Sequence, residues 1–298
     1  MSIKKQDLPT MPPRAKRHLG IKAANTISNT IIYILLVCIT IIWLVPFVCI
    51  VLQSFRVEST HMVGYVVPKQ WGLDNYKALF ATSYPKWYLN TFITAVFTAL
   101  FQTVITLCMS YTLSRFRFKM RKPLMRMMLI LGMFPGMLTM IIIYQVLKGM
   151  GLTNENAVPG LILVYVASSG MGYYVSKGFF DTIPKSLDEA ARIDGATRMQ
   201  ILHRVILPLA KPIVIYTILT AFMAPWGDFV FAKYIAFNNT QGMNVAVGLY
   251  SWLTADAINS KYTMFCAGGV LVALPVTLLF MFLQKYYVEG VTGGAVKG

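Results

Sequence analysis

The run from residue 23 to residue 55 reads AANTISNTIIYILLVCITIIWLVPFVCIVLQSF and contains no Asp, Glu, Lys or Arg. An α-helix needs about 20 apolar residues to cross the hydrocarbon core of a bilayer, and this run exceeds that length. It is also too long for the apolar part of a signal peptide, and no small-residue cleavage site follows it. The run therefore predicts a retained membrane helix near the start of the chain.

Five further windows of the chain have the same apolar character. They are residues 87–114, 127–147, 156–176 and 262–284, which are free of charge, and 212–232, which only Asp228 interrupts. Of the 298 residues, 56% are hydrophobic and 13% are charged, whereas a soluble domain has about 25% charged residues. This composition excludes a disordered protein, a collagen-like fibre and a small disulfide-stapled domain. We predict an all-α, polytopic membrane protein with six transmembrane helices, centred near Val37, Leu100, Phe134, Val164, Phe222 and Leu271.

The charges are unequal in number and in distribution. There are 27 Lys and Arg residues against 11 Asp and Glu, which gives a net charge of +16. Twenty of the cations fall in the two terminal segments, between spans two and three, and between spans four and five, and the other seven fall on the opposite side of the spans. The positive-inside rule places the larger set in the cytoplasm. The excess charge therefore predicts an N-in/C-in orientation and indicates no nucleic-acid partner.

The predicted spans divide the chain into three parts. Residues 1–26 are rich in Pro, Lys and Arg and are expected to form a disordered cytoplasmic arm. Residues 27–288 form the transmembrane domain, for which the lipid bilayer is the first partner. Residues 289–298 are a glycine-rich cytoplasmic tail.

The cytoplasmic connection between spans four and five, residues 177–212, is too long for a simple turn. Ser186 and Glu189 have the S-x-x-E spacing of a capping box at a helix N-terminus. Gly195 is placed to end that helix, because a glycine commonly occupies the first position beyond a helix C-terminus. The connection therefore predicts a short coupling helix that stops at Gly195.

A second helix is predicted in the same connection. Thr197 and Gln200 repeat the capping-box spacing, and apolar residues then recur at helical intervals, as in an amphipathic helix. Pro208 and Pro212 mark the entry into span five, because proline is tolerated in the first turn of a helix and disrupts its interior.

The surface of the first helix combines charge with small side chains. Asp188 and Glu189 lie at its N-terminus, where the helix dipole favours negative charge, and Ala190 and Ala191 follow them. Such a surface suits insertion into a groove on a soluble partner. A helical hairpin that lies on the membrane surface is an equally open interpretation.

The spacing of these residues matches a known pattern. Glu189-Ala190-Ala191, then Gly195 after three residues, then Val205-Ile206-Leu207-Pro208 after nine more, resembles the EAA motif of importer-type ABC transporter permeases, EAA-x3-G-x9-I-x-LP. Val205 stands where isoleucine is usual. The runs 179–184, 221–226 and 293–298 are similar to those of maltose-type carbohydrate permeases, specifically the smaller of their two membrane subunits.

The resemblance implies a function and a set of partners. It implies a permease subunit of an ATP-driven importer of oligosaccharides, of the maltose or maltodextrin kind, in the bacterial cell membrane. The implied partners are a second permease subunit in a heterodimer, two copies of an ATP-binding subunit that carry ATP and Mg²⁺, and an extracytoplasmic sugar-binding protein. The resemblance assigns the contact with the ATP-binding subunits to Ser186, Asp188, Glu189, Ala190, Ala191, Gly195, Leu207 and Pro208.

The chain carries no catalytic motif of its own. It contains no GxxxxGK[ST], HExxH or GxSxG pattern, and its three histidines are far apart in the sequence. We therefore predict that it is not an enzyme and holds no metal or cofactor. Energy must come from ATP hydrolysis on a partner or from an ion gradient, so a stand-alone ion-coupled secondary transporter is the alternative. A non-transporting membrane scaffold is a third interpretation.

Polar residues inside the predicted spans are candidates for a transport pathway. In span two Thr91, Thr94, Thr98 and Gln102 fall within an arc of about 80° on a helix. They either hydrogen-bond neighbouring helices or line a hydrated route. Asp228 near the end of span five is the only Asp, Glu, Lys, Arg or His inside a predicted span. It is either a pathway or gate residue or the acceptor of a structural hydrogen bond.

Overall fold

The computed structural model describes residues 16–58, 65–134, 136–168, 170–237, 239–254 and 258–295. In these ranges the chain is helical and contains no strand, and Arg56 and Trp71 form a single isolated β-bridge. The predicted all-α class is confirmed. The chain divides into two units, one up to Ile50 and one from Val51 onward.

The helices follow one another along the chain, and the connection from α1 to α2 is the longest between them. In chain order they are α1 (Lys16–Ser54), α2 (Asp74–Phe80), α3 (Tyr84–Arg115), α4 (Arg121–Gly132), α5 (Gly136–Gly149), α6 (Ala157–Ala167), α7 (Gly170–Thr182), α8 (Lys185–Ile193), α9 (Arg198–Ile201), α10 (Leu207–Leu209), α11 (Lys211–Gly227), α12 (Val230–Ala236), α13 (Val245–Tyr250) and α14 (Ile258–Ala295). Two 3₁₀ turns and one π turn lie between them, at Asn154–Asn156, Ser251–Leu253 and Leu202–Ile206.

Within the described residues, three helices are long and apolar enough to cross a bilayer alone. They are Ser28–Ser54 within α1, Tyr84–Arg115, and Ser260–Lys285 within α14. These segments coincide with the first, second and sixth predicted spans. Each has the length that the hydrocarbon core requires.

Two further spans are built from helix pairs with a sharp bend. Asn154–Ala167 and Gly172–Thr182 are bent by 41°, and Arg198–Leu209 and Lys211–Gly227 are bent by 85°. If each pair counts as one span, the described residues contain up to five. The bend of 85° turns the chain from the connection after span four into the body of span five.

The third predicted span, centred near Phe134, is divided. Helix α4 ends at Gly132 and α5 begins at Gly136, and Pro135 lies outside the described residues. Its apolar part, Leu138–Gly149, is shorter than the other spans. Glycine and proline disfavour a continuous helix, which accounts for a break at this point.

At both ends of the chain the long helices extend past the boundaries predicted for the transmembrane domain. The sequence predicts an arm up to residue 26, whereas α1 begins at Lys16; residues 1–15 lie outside the described part. Helix α14 continues to Ala295, so the first residues of the predicted tail are helical.

Helix α3 is the centre of the second unit, because it packs against α6, α7 and α11, while α11 also packs against α14. At the N-terminal end of α3 a buried cluster includes Trp87, Trp226 and Trp252. At its C-terminal end a separate buried cluster includes Phe180 and Ile206. Buried threonines and alanines along α3 allow the neighbouring helices to approach closely. One helix therefore connects the two packed ends of this unit.

Candidate functional site

The loop between α7 and α11 forms the helix, turn and helix that the sequence predicts. Helix α8 ends at Ile193, and Gly195 adopts a φ of +80°. The amide of Ala196 donates to the carbonyl of Ala191 at 2.9 Å, and the amide of Gly195 donates to the carbonyl of Arg192 at 3.0 Å. These two bonds form a Schellman motif, in which glycine suits the left-handed position. The predicted end of the helix is confirmed.

The predicted start of that helix is wrong. Pro184 occupies the N-cap position of α8, and no side chain caps the helix. Ser186 is already the second helical residue and is exposed. Its hydroxyl is therefore beyond the position from which a capping box with Glu189 could form. Proline, with its fixed φ, lets the helix begin earlier than the serine suggests.

The second predicted capping box is present. The amide of Gln200 donates to Thr197 Oγ1 at 3.3 Å, and the amide of Thr197 donates to Gln200 Oε1 at 2.7 Å. After this turn the chain forms the π turn Leu202–Ile206 and then α10. The sequence predicts an amphipathic helix here and does not foresee the π turn. Of its predicted apolar face, Leu202 and Ile206 are buried, whereas Met199 is exposed.

A buried ion pair attaches α8 to the C-terminal end of α3. Arg115 Nε lies 3.0 Å from Asp188 Oδ2, and the two side chains are only 1% and 6% exposed. Arg115 Nη2 also donates to the carbonyl of Ile183, just before α8, at 3.0 Å. Asp188 therefore faces the body of the protein, and its role in this structure is to position α8.

More polar contacts surround this ion pair. Ser114 Oγ donates to Asp181 Oδ1 at 2.6 Å, and Lys177 forms an ion pair with the other carboxylate oxygen of Asp181. Tyr111 donates its hydroxyl to the carbonyl of Arg198 at 3.3 Å. The end of α3 is thereby bonded to α7, α8 and α9 together.

The remaining loop residues assigned by the resemblance lie on the surface. Glu189, Ala190 and Gly195 are exposed, and Ala191 is half-buried. Ile193, at the end of the same helix, is 87% exposed, which is unusual for so large an apolar side chain beside charged ones. Leu207 is half-buried and Pro208 is exposed at the corner that leads into α11. The outer face of α8 thus combines an acid, small residues and an apolar side chain.

Sequence reasoning missed the residues on α3 that hold this loop. Arg115 was expected only as one of the cations that set orientation, and Tyr111 and Ser114 had no predicted role. One signal was available, because Arg115 is the first charged residue after the charge-free window of span two. Its partner could not be inferred, since Asp188 lies far along the chain.

The threonine stripe of α3 faces the protein interior. Thr91, Thr94 and Thr98 are buried, and Gln102 is half-buried. Thr91 Oγ1 accepts the amide of Val245, at the start of α13, at 2.8 Å. These positions favour helix contact over a hydrated route for the stripe.

Asp228 follows α11 and holds local structure together. Its carboxylate accepts the amide of Phe231 at 3.1 Å and also the hydroxyl of Tyr165. Its carbonyl accepts Asn244 Nδ2 at 2.6 Å. These bonds favour the structural interpretation, in which Asp228 joins α6, α12 and α13.

No group of three or more His, Cys, Asp and Glu side chains that could hold a metal ion occurs in the described part of the chain. The arrangement at α8 combines an exposed outer face with a buried attachment to α3.

Comparison with known proteins gives concordant matches. Residues 105–293 match the profile of the family described as binding-protein-dependent transport system inner membrane component. The chain is 34% identical to the maltodextrin transport system permease protein MdxG of Bacillus subtilis, over 94% of this chain and 100% of that one. It is 34% identical to the galactooligosaccharides transport system permease protein GanQ of Bacillus subtilis, over 89% and 94% of the two chains.

A solved structure has the same fold. It is a bacterial ABC transporter involved in the import of the acidic polysaccharide alginate, and its matching chain superimposes with a TM-score of 0.71 at 22% identity. The match covers 94% of this chain and 100% of that one.

Proposed function

This chain belongs to the family of binding-protein-dependent transport system inner membrane components, and on that premise we propose that it is the permease subunit of an ATP-driven importer of neutral oligosaccharides of the maltodextrin type. The permeases named for maltodextrin and for galactooligosaccharides, each 34% identical, support this substrate class. The permease carries the sugar across the membrane and catalyses no reaction itself.

The proposed topology has six spans with both termini in the cytoplasm. Residues 27–288 form the transmembrane domain, with an N-terminal arm at 1–26 and a tail at 289–298. The division of cations, twenty on one side and seven on the other, supports this orientation. The coupling loop, residues 177–212, then lies on the cytoplasmic side in the membrane of a bacterial cell.

The proposed assembly contains four kinds of subunit. This chain pairs with a second permease, and the pair binds two ATP-binding subunits from the cytoplasm and a sugar-binding protein from the other side. ATP and Mg²⁺ are held by the ATP-binding subunits, where hydrolysis supplies the energy. The contribution of this chain is to convert movement of those subunits into movement of its spans.

One observation carries the coupling proposal, namely the ion pair between Arg115 and Asp188. Both side chains are buried and the guanidinium also holds the carbonyl of Ile183, so we expect a shift of α8 to move the end of α3 with it. The outer face of α8, with Glu189 and Ala190, is free to enter a groove on an ATP-binding subunit. A displacement of α8 by the partner is thus passed to the central helix. The contact of α8 with the ATP-binding subunit and the sugar pathway through the spans then both favour particular positions of α3. Two sites that influence the same conformational equilibrium in this way are thermodynamically coupled.

The turn at Gly195 provides a direct test. A side chain at position 195 would have space around it. The φ of +80° is nevertheless strained for most residues other than glycine, and most of all for β-branched ones. We expect Gly195→Val to abolish ATP-driven uptake of maltotriose while the assembled complex still inserts into the membrane. Gly195→Asn is the matched control and should retain most uptake, because asparagine tolerates this conformation. Equal uptake by the two variants would contradict the proposed role of the turn.

The stand-alone ion-coupled carrier finds no support among the relatives, which are named as permeases of transport systems. Liposomes that contain this chain alone separate the two functions. We expect no uptake under a proton or sodium gradient without the other subunits, and ATP-driven uptake once all subunits are present. A scaffold would give no uptake defect on deletion of this chain.

A further inference from the structure

Two connections meet at the end of the second unit opposite to the coupling loop. One joins α5 to α6, and the other follows α12. Gly242 in the second connection lies so close to the first that a Cβ atom there would be 1.7 Å from the carbonyl oxygen of Asn154. The two backbones are therefore in contact, and glycine is required for that approach.

An open pocket of about 640 Å³ lies where these connections meet, a volume within the usual range of small-molecule sites. Its lining is polar apart from one aromatic ring. The described residues that form it are Gly151, Thr153, Asn154, Glu155, Asn156, Phe237 and Asn239.

The backbone around the pocket is strained. Within the described residues, the non-glycine residues with positive φ are Asn154, at +57°, and Phe237, at +51°, and both line the pocket. Asparagine tolerates such values, whereas for a bulky residue they are a true outlier. The ψ of −123° takes Phe237 further from any region that an L-residue favours. Strained residues persist where the surrounding structure holds them, and they concentrate at functional sites.

Burial does not compensate for the strain at Phe237, because its side chain is 60% exposed. The protein thus holds an aromatic ring in an unfavourable backbone conformation and presents it to the pocket rather than to a hydrophobic core. A ring face in this position provides a surface on which the C–H face of a ligand could pack.

The carboxamides beside the ring are oriented by the protein. Asn156 Nδ2 donates to the carbonyl of Gly151 at 3.2 Å, and Asn239 Oδ1 accepts the amide of Gln241 at 2.8 Å. Within the described part of the chain, Asn156 Oδ1 and Asn239 Nδ2 make no hydrogen bond. One acceptor and one donor are therefore fixed in direction and available at the pocket.

The charge of the lining restricts the ligand. Glu155 is the ionisable residue in the described lining, which contains no Lys or Arg. A carboxylate in the lining disfavours an anionic ligand, whereas carboxylate and carboxamide groups match hydroxyl donors and acceptors. We propose that this pocket is a subsite on this chain for one ring of a neutral oligosaccharide, with the ring face on Phe237 and its hydroxyls bonded to the surrounding carboxamides and carboxylate.

The subsite presupposes the proposed function, because it gives the imported sugar a binding place at the entrance of this chain. It also sharpens the substrate class. The solved neighbour belongs to an importer of an acidic polysaccharide, and the pocket described above is built to disfavour acidic sugars.

A site-specific probe tests the proposal in the full transporter. We would incorporate 4-fluorophenylalanine at position 237, assemble the chain with its partner permease and ATP-binding subunits in nanodiscs, and titrate maltotriose while recording the fluorine resonance. We expect a saturable shift. The matched control is the same label at position 80, since Phe80 is 61% exposed at the end of α2 and outside the pocket; its resonance should not move.

Further arms of the titration define the ligand chemistry. Asn156→Leu should raise the maltotriose concentration needed for half of the shift about tenfold, and a trisaccharide of uronic acids should give no saturable shift. No shift at position 237, an equal shift at positions 237 and 80, or an equal response to the acidic sugar would each overturn the proposal. With ATP-driven uptake by the wild-type complex intact, those outcomes contradict only the subsite; loss of that uptake contradicts the proposed function itself.

The backbone strain at Phe237 provides a second, independent test of the subsite. Phe237→Gly removes both the ring and the backbone strain, so the complex should keep or raise its Tm while the efficiency of maltotriose uptake falls about tenfold. A purely structural role for Phe237 predicts unchanged uptake of maltotriose. A raised Tm with unchanged uptake would therefore overturn the proposal.

Discussion

At the scale of single residues, two adjacent carboxylates on α8 have opposite environments. Asp188 is buried against Arg115, whereas Glu189 is exposed on the outer face. Successive residues point about 100° apart around a helix, so neighbours in the sequence face different surroundings. The structure thus separates a residue that positions the helix from a residue that is free to contact a partner.

Removal of the buried charge should destabilise the protein. Asp188→Asn leaves the Arg115 guanidinium buried without its counter-charge, which typically costs about 3–5 kcal/mol. We expect a clear fall in the Tm of the assembled complex, measured by the loss of monodisperse complex on heating. Glu189→Gln is the matched control on the next residue and should leave Tm unchanged while it lowers ATP-driven uptake.

The ion pair itself can be replaced. Well-packed apolar residues in place of a buried pair are often neutral or stabilising, so the double variant Arg115→Met with Asp188→Leu should recover most of the Tm lost by Asp188→Asn. A wild-type Tm for Asp188→Asn alone would show that the pair does not hold α8 in place.

At the scale of the helices, the coupling loop contains one capping box that forms and one that does not. Both have the same residue spacing, but Pro184 starts α8 before Ser186, whereas Thr197 is the true N-cap of α9. The spacing alone cannot distinguish these cases, because the first helical residue depends on the backbone that precedes it.

Replacement by alanine should have different effects at Thr197 and at Ser186. Thr197→Ala removes an N-cap, which costs about 1 kcal/mol, and should speed hydrogen exchange of the amides in α9 about fivefold. Ser186→Ala should not change exchange in α8, since Ser186 caps nothing. Faster exchange in α8 of the Ser186 variant would show that the predicted box forms after all.

The coupling loop also contains the π turn Leu202–Ile206. It brings Leu202 and Ile206 into the buried cluster at the C-terminal end of α3, immediately before the bend into α11. Such turns are often found at functional sites, and this one lies in the stretch that the coupling proposal requires to move. Apolar spacing alone does not distinguish a π turn from a regular α-helix.

At the scale of the whole molecule, α3 links the two ends of the second unit. Its C-terminal end holds the coupling loop, and its N-terminal end packs into the cluster that contains Trp87 and Trp252. The proposed sugar subsite lies at the same end of the unit as the cluster that contains Trp87 and Trp252. Through α3, a movement of the coupling loop can therefore reach the end of this unit that carries the proposed subsite.

The proposed orientation is open to a labelling experiment. With the native cysteines replaced, a cysteine at position 69, in the connection before α2, should react with a membrane-impermeant maleimide in intact cells. A cysteine at position 186 should react only after the membrane is permeabilised. Both positions are exposed in the structure, so reaction of position 186 in intact cells would contradict the cytoplasmic placement of the coupling loop.

The sequence by itself determined the helical class, the position of most apolar spans, the glycine stop at Gly195 and the family, because apolar length and residue spacing are local properties of the chain. Only the tertiary structure decided that Asp188 is buried against Arg115, that the threonines of α3 are packed inside, and that Phe237 is held in strain beside Asn154. In each case the residues that meet lie far apart in the sequence and come together only through the packing of the helices. No local sequence pattern could therefore reveal these contacts.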